Sequence, residues 1–339
     1  MGFDSETEFE RALIKELTRN GWTEVLHYPN EADLIKNWAN ILFQNNKGID
    51  KLNNQPLTDG EMRQILDYIQ EHHSPLALNG FINGKSVTVT RDNPNDPLHY
   101  GKEVSLIIYD RLEIAAGKSC YQIAEQPRYE HHDDILPNRR GDFMMLINGM
   151  PVIHVELKSS KVPAIQSANQ ISKYSHEGLF TGIFSLVQIF VAMNPEEMLY
   201  FANPGQDGVF NRDYYFHWAD FNNEPINDWK QLASVFLSIP MAHQMIGFYT
   251  VADQGDGILK VLRSYQYYAA NAISTRVAKI DWKEGNQLGG YIWHTTGSGK
   301  TLTSFKSAQL IANSGDADKV VFLVDRIELG TQSLEEYRG

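Results

Sequence analysis

Asp142-Phe143-Met144-Met145-Leu146-Ile147-Asn148-Gly149-Met150-Pro151-Val152-Ile153-His154-Val155-Glu156-Leu157-Lys158 holds two apolar runs on either side of an Asn-Gly pair. Asn-Gly tolerates the positive φ angles of a tight hairpin turn, so residues 142–147 and 152–157 are expected to pair as antiparallel strands. Glu156 and Lys158 lie two apart, and on a strand they share a face. The turn carries Asp142 across to them, so one face presents Asp, Glu and Lys together. Two carboxylates side by side suit a hard divalent cation. Such a cation acidifies a bound water and stabilises charge on a phosphodiester, and Lys158 could orient the attacking water. This is the chemistry of a metal-dependent nuclease. The competing reading is a surface hairpin with solvated charges. Against it stands Val152-Ile153-His154-Val155, which is too apolar for an exposed strand.

Upstream, Ser5-Glu6-Thr7-Glu8 has the form of a capping box opening a helix to about Asn20, with Gly21 ending it. Glu6 and Glu10 fall on a stripe with Leu13 and Leu17, an unusual place for carboxylates. Residues 31–45 and 58–72 read as helices, and His72 and His73 suit the negative end of the second. Asp92-Asn93-Pro94-Asn95-Asp96-Pro97 is a run of turns. Residues 104–109 and 121–125 read as strands, 163–178 as a helix and 186–193 as a further strand. Several strands precede the next helix, so a mixed sheet is expected rather than repeated βαβ units. His131 and His132, in Glu130-His131-His132-Asp133-Asp134, read as a solvated acidic loop rather than a metal site. The aromatics near 200–220 read as core. Residues 204–250 give mixed signals, and a helical stretch is expected from about 258.

The other chemical motif is His294-Thr295-Thr296-Gly297-Ser298-Gly299-Lys300-Thr301. Gly290-Tyr291-Ile292-Trp293 before it reads as a short buried strand, and Leu302 to Ala312 after it as a helix. Strand, glycine-rich turn and helix are the setting of a phosphate loop, in which backbone N–H groups and the helix N-terminus receive phosphate oxygens. Lys300 would reach the β- and γ-phosphates and Thr301 would hold Mg²⁺. His294 stands where the general pattern has glycine; superfamily 2 helicases and translocases often relax that position and keep Thr-Gly-Ser-Gly-Lys-Thr, so the loop resembles their motif I. Val320-Val321-Phe322-Leu323-Val324 reads as a buried parallel strand.

The chain has 339 residues, 42% of them hydrophobic and 21% charged, with a net charge of −12 and one cysteine, Cys120. The length allows two or three domains. A lone cysteine excludes an internal disulfide and any multi-cysteine zinc site, which fits a cytoplasmic protein. No apolar run reaches the length of a membrane span and the N-terminus has no signal peptide. The acidic balance excludes a generally basic coat but not a local cationic groove.

Arg140-Gly141-Asp142, Ile147-Asn148-Gly149-Met150-Pro151, Val155-Glu156-Leu157-Lys158 and Gln170-Ile171-Ser172-Lys173-Tyr174 together closely resemble the nuclease domain of the R subunit of type I restriction enzymes. Arg263-Ser264-Tyr265-Gln266, the phosphate loop and Asp325-Arg326 resemble that family's motor motifs in the family's order. The resemblance implies an α/β protein: a PD-(D/E)xK nuclease-like mixed sheet with flanking helices, then the start of a RecA-like superfamily 2 motor lobe. The endonuclease domain would occupy residues 1–240, with a helical insertion at about 27–100, and the motor residues 241–339. Asp142 and Glu156 would bind metal and Lys158 would be the catalytic lysine. Gln170 and Tyr174 match the family's Gln-x-x-x-Tyr element, and Glu10 matches its first-helix glutamate, with Glu6 the alternative. Gln266 would read adenine, while Thr296, Gly297, Ser298, Gly299, Lys300 and Thr301 would bind ATP and Mg²⁺. The implied partners are double-stranded DNA and the methyltransferase (M) and specificity (S) subunits. A truncated motor lobe without a second lobe would not hydrolyse ATP by itself. Two alternatives remain: a DNA-docking or assembly module, and a superfamily 2 helicase with a degenerate nuclease domain. Convergence of Asp142, Glu156 and Lys158 would favour the nuclease.

Overall fold

The computed structural model describes residues 2–112, 119–129, 138–205, 207–253, 255–280 and 289–323. His131, His132, Val324 and the Asp325-Arg326 pair lie outside the described residues.

Helix α1 (Glu6–Arg19) starts where the Ser5 hydroxyl accepts the Glu8 N–H at 3.2 Å. It buries Phe9, Leu13, Ile14 and Leu17, and also Glu10. Gly21, at φ +108°, turns the chain out of the helix into β1 (Glu24–His27). Capping boxes open α2 (Glu31–Asn46), through Asn30 and Asp33, and α3 (Asp59–Glu71), through Thr58 and Glu61. A shorter helix, α4 (Pro75–Asn83), precedes a small antiparallel pair, β2 (Ser86–Thr90) and β3 (Glu103–Ile107). Arg91, fully buried beside this pair, is held by the carboxylates of Glu61 and Asp96.

Strand β4 (Tyr121–Glu125) opens the central run. A two-residue ribbon follows, β5 (Arg128–Tyr129) with β6 (Arg139–Arg140), and then the hairpin β7 (Phe143–Ile147) and β8 (Met150–Leu157). Helix α5 (Ile165–His176) leads to β9 (Ile189–Asn194) and β10 (Glu197–Ala202). The main sheet has the order β1-β4-β7-β8-β9-β10. β1 runs parallel to β4 and β8 parallel to β9, whereas the other neighbours are antiparallel. It is the mixed sheet with flanking helices expected from the element order. All eight residues of β8 are buried, so both faces of this central strand are covered. The turn residues Asn148 and Gly149 both take positive φ, +51° and +84°. That is the conformation the Asn-Gly signal encodes.

Beyond the sheet come α6 (Trp229–Val235), α7 (Ile239–Gln244), the hairpin β11 (Thr250–Asp253) and β12 (Ile258–Val261), α8 (Ser264–Lys279) and α9 (Lys300–Ser314). The hairpin packs on α4 and β10, and α9 on α8. No single helix among the described residues is long and apolar enough to cross a membrane.

Three expectations need correcting. Residues 258–261 are strand, not helix: Ile258 to Val261 pair with Asp253 back to Thr250, and the helix begins only after Gln266 accepts the Arg263 N–H at 2.9 Å. Residues 290–293 are not a buried strand, since Tyr291 and Trp293 are each 87% exposed. Val320 to Leu323 are likewise exposed and lie in no strand. An apolar run becomes a buried strand only with neighbours to bond and cover it, and no described strand lies beside either run. The aromatics near 200–220 divide: Tyr200, Phe201 and Trp218 are core, whereas Tyr214 and Phe221 are exposed.

Candidate active site

Register places the acidic residues. Phe143 pairs with Val155, so Asp142, one residue before β7, lies opposite Glu156 on β8. The Leu157 N–H donates to Asp142 Oδ2 at 2.6 Å and pins that carboxylate to the adjacent strand. Glu156 is wholly buried. Its Oε2 accepts from Gln170 Nε2 at 2.9 Å. The same amide donates to the Tyr174 hydroxyl at 2.8 Å, and that hydroxyl donates to the Arg140 carbonyl at 3.2 Å. The one-turn spacing of Gln170 and Tyr174 on α5 is what permits this chain of bonds. Tyr174 is itself buried, with its hydroxyl toward the cluster. Lys158 lies just beyond β8 and its ammonium contacts Glu6 Oε2 at 3.3 Å.

The other Glu156 oxygen meets His154 Nε2 at 3.1 Å, and His154 Nδ1 meets the Tyr129 hydroxyl at 3.3 Å. Complete burial pushes the His154 pKa down to about 3, so the ring is neutral. A proton on Nε2 satisfies both contacts: the ring donates to Glu156 and accepts from Tyr129. Gly141 permits this approach, since a Cβ there would sit 2.8 Å from His154 Cε1 and 3.1 Å from the Tyr129 hydroxyl.

Glu10 enters from α1. Its Oε2 accepts from Gln126 Nε2 at 2.9 Å, while its Oε1 is buried with no hydrogen-bond partner among the described residues. Gln126 has φ +50°, unusual for a side chain of that size, and its N–H donates to the Asp142 carbonyl at 2.7 Å. One residue thus ties α1 to the start of β7. Sequence reasoning missed Gln126 and Tyr129 because no local spacing marks them; both act through contacts made across the fold.

The electrostatics are those of crowded carboxylates. Burial raises the Glu156 pKa to about 8. Burial raises Asp142 as well, and the facing Glu156 carboxylate adds to the effect. Burial, reinforced by Asp142 and Glu125, lifts Glu10 to about 7. No group of three or more His, Cys, Asp or Glu side chains among the described residues has metal-holding geometry. Their donor chemistry nevertheless suits a hard cation: two facing carboxylates, and a third with an oxygen unpartnered among the described residues, all three made costly to ionise by burial.

The phosphate loop lies elsewhere. Gly297 and Gly299 take φ +76° and +73°, and α9 starts at Lys300. Thr296 to Thr301 line a cavity of about 840 Å³, which Gln266, Arg263, Lys260, Phe201 and Phe305 also line. Lys300 Nζ donates to the Thr295 carbonyl at 2.9 Å, across its own loop. Gln266 is buried, and its amide donates to the Ser298 and Gly299 carbonyls at 3.3 Å each. The Tyr265 hydroxyl donates to the Ser298 carbonyl at 2.9 Å. In this conformation Gln266 holds the loop rather than standing open to a base. Gly299 needs glycine for its φ, and a Cβ there would fall 2.5 Å from Gln266 Nε2 and push that amide end from its present place.

The family model described as type I restriction enzyme R protein N terminus matches residues 4–208, well over half of the chain. The chain belongs to that family. Within the R protein family it is 34% identical over 341 residues to the type I restriction enzyme SsaAORF53P endonuclease subunit of Staphylococcus saprophyticus, covering 99% of this chain and 33% of that protein. It is 33% identical over 339 residues to the SauCOLORF180P endonuclease subunit of Staphylococcus aureus, with the same coverage. The EcoprrI endonuclease subunit of Escherichia coli is 26% identical over 278 residues, which are 81% of this chain and 83% of that protein. This R protein chain therefore spans about a third of the length of the staphylococcal relatives. A SWI2/SNF2 ATPase model matches residues 265–339, the segment holding the phosphate loop, and fits a motor lobe there.

Proposed function

We propose that this chain carries the DNA-cleaving centre and the nucleotide-binding start of the motor of a type I restriction enzyme. The nuclease would be of the PD-(D/E)xK kind in residues 1–240, and the motor a RecA-like lobe from about 241. The observation that carries the reading is the approach of Asp142, Glu156, Glu10, Gln170 and Tyr174 to one partly buried acidic cluster, with Lys158 held beside it by Glu6.

Asp142 and Glu156 would hold Mg²⁺, with Glu10 supplying its free oxygen. When bound, the cation lowers the pKa of water and offsets charge on the scissile phosphate. The protein's own contribution is positional. Gln170 fixes Glu156 Oε2, His154 fixes Oε1, and Tyr174 anchors the Gln170 amide to the backbone at Arg140. The Lys158 ammonium can orient a water toward a phosphodiester and stabilise the negative charge that develops there. Thr296 to Thr301 would cradle ATP phosphates, with Lys300 moving from the Thr295 carbonyl to the β- and γ-phosphates and Thr301 on Mg²⁺. Gln266 would contribute adenine recognition once it is released from the loop. ATP-driven translocation along double-stranded DNA, and assembly with M and S subunits, are the roles that family membership supports.

The test is cleavage by the assembled enzyme. Asp142→Ala, Glu156→Ala and Lys158→Ala should each abolish DNA cutting and leave DNA-stimulated ATPase intact. Any one of them cutting at the parental rate removes that residue from the mechanism. If all three did so, a docking module or a helicase with a degenerate nuclease domain would be the better account.

A further inference from the structure

The ribbon β5–β6 sets Arg128 directly opposite Arg140. Like charges facing across a strand pair repel and weaken the pairing. Neither guanidinium forms a salt bridge with a carboxylate among the described residues, although Arg140 acts through space on Glu10, and both side chains are exposed. The other cations around the acidic cluster are paired: Lys158 with Glu6, Lys161 with Asp4, and Arg139 with both Glu177 oxygens at 2.8 and 2.9 Å. Among the described residues the Arg128 guanidinium meets the exposed Tyr28 ring, 5.8 Å from its carbon.

The ribbon also adjoins the carboxylates. Arg140 lies two residues before Asp142, and its carbonyl receives the Tyr174 hydroxyl. The Gly141 N–H donates to the Pro127 carbonyl at 3.1 Å, and the Gln126 N–H to the Asp142 carbonyl. In a chain of net charge −12, two exposed arginines without a salt bridge among the described residues form a local exception. Among the described residues neither arginine makes an ion pair that would hold the ribbon, which is two residues long on each side and whose facing side chains repel. A polyanion laid across the ribbon would neutralise both at once.

We propose that Arg128 and Arg140 grip consecutive backbone phosphates of the duplex and set the scissile phosphate against the Asp142–Glu156 pair. The proposal rests on the nuclease reading of that pair and names its substrate contacts. Phosphate contacts of this kind position the duplex without reading its sequence. They bind by releasing counterions, so each contributes to the salt dependence of affinity.

The experiment measures affinity of the 339-residue chain for a short duplex across a salt series, with EDTA present so that no strand is cut. Arg128→Gln and Arg140→Gln should each weaken binding about ten-fold at low salt and flatten the log–log salt slope by about one, whatever the duplex sequence. Relief of the repulsion should leave the melting temperature unchanged or higher, which separates contact loss from misfolding. Arg128→Lys should keep most of the slope. Affinity and slope unchanged in both Gln variants would overturn the proposal, as would loss of affinity accompanied by a lower melting temperature that Arg128→Lys does not restore. The nuclease reading is judged separately, by the Asp142→Ala variant in Mg²⁺. Cleavage lost there, with both Gln variants binding as the parent does, would retain the acidic centre and discard the ribbon.

Discussion

Gln126 combines a left-handed backbone with the bond that orients Glu10. A non-glycine residue there carries strain of about 1 kcal/mol, and such strain persists where surrounding contacts over-determine it. Gln126→Gly should relieve the strain and Gln126→Ala should not, while both lose the bond to Glu10. We expect both to need more Mg²⁺ for half-maximal cleavage, with the Gly variant the more stable by about 1 kcal/mol in chemical denaturation. Equal Mg²⁺ requirements in parent and variants would remove Gln126 from the site. The raised carboxyl pKa values also set a pH dependence. Glu10 and Glu156, at about 7 and 8 in the folded chain, hold protons there that the unfolded chain has released by about pH 5. The folded state thus binds more protons between about pH 5 and 8, and the metal-free chain should lose stability as pH rises through that window. Mg²⁺ should raise the melting temperature at pH 8 and hardly at pH 5. Glu156→Gln should flatten the metal-free slope; a parental slope in that variant would assign the effect elsewhere.

The β7–β8 hairpin is the element on which the acidic site depends, because its register sets Asp142 against Glu156. Its turn is held twice. Gly149 needs φ +84°, and a Cβ there would lie 2.9 Å from the Trp38 Cα, a backbone atom of α2 that cannot move alone. Asn148 accepts the Cys120 N–H at 2.8 Å and donates to the Ile108 carbonyl at 3.2 Å. Gly149→Ala should therefore destabilise the chain by about 2 kcal/mol or more, seen as a lower urea midpoint at unchanged m. A loss under half that size would mean that α2 yields. The hairpin was legible because a turn signal and two apolar runs are local information. The same holds for α1, α2 and α3, each opened by a Ser, Asn or Thr cap. The short strands β1 and β2 were not legible. Each is four or five residues long and depends on a partner outside its own neighbourhood: β1 pairs with β4, far along the chain, and β2 with β3 across the turns at 91–102.

At the scale of the molecule, the cavity proposed for nucleotide is lined by the glycine-rich loop together with Phe201 of β10 and Lys260 of β12. A nucleotide bound there should stabilise the whole chain by mass action. Saturating ATP should raise the melting temperature by a few degrees, on the order expected for ligand at a hundred times its Kd, and Lys300→Ala should abolish the shift. An equal shift in that variant would mean the nucleotide binds without the loop. By itself, the sequence determined what near neighbours encode: the Asn-Gly turn, the helix caps, the glycine-rich loop, the spacing of Gln170 and Tyr174, and through their conjunction the family. The tertiary structure decided what depends on distant partners. It brought Gln126 to Glu10 and Tyr129 to His154, and set the two arginines of the ribbon face to face. It also left Tyr291 to Trp293 and Val320 to Leu323 exposed where their composition read as strand. The division is physical. Backbone preference and capping act within a few residues, whereas a strand's identity and a carboxylate's pKa depend on what the rest of the chain packs around them.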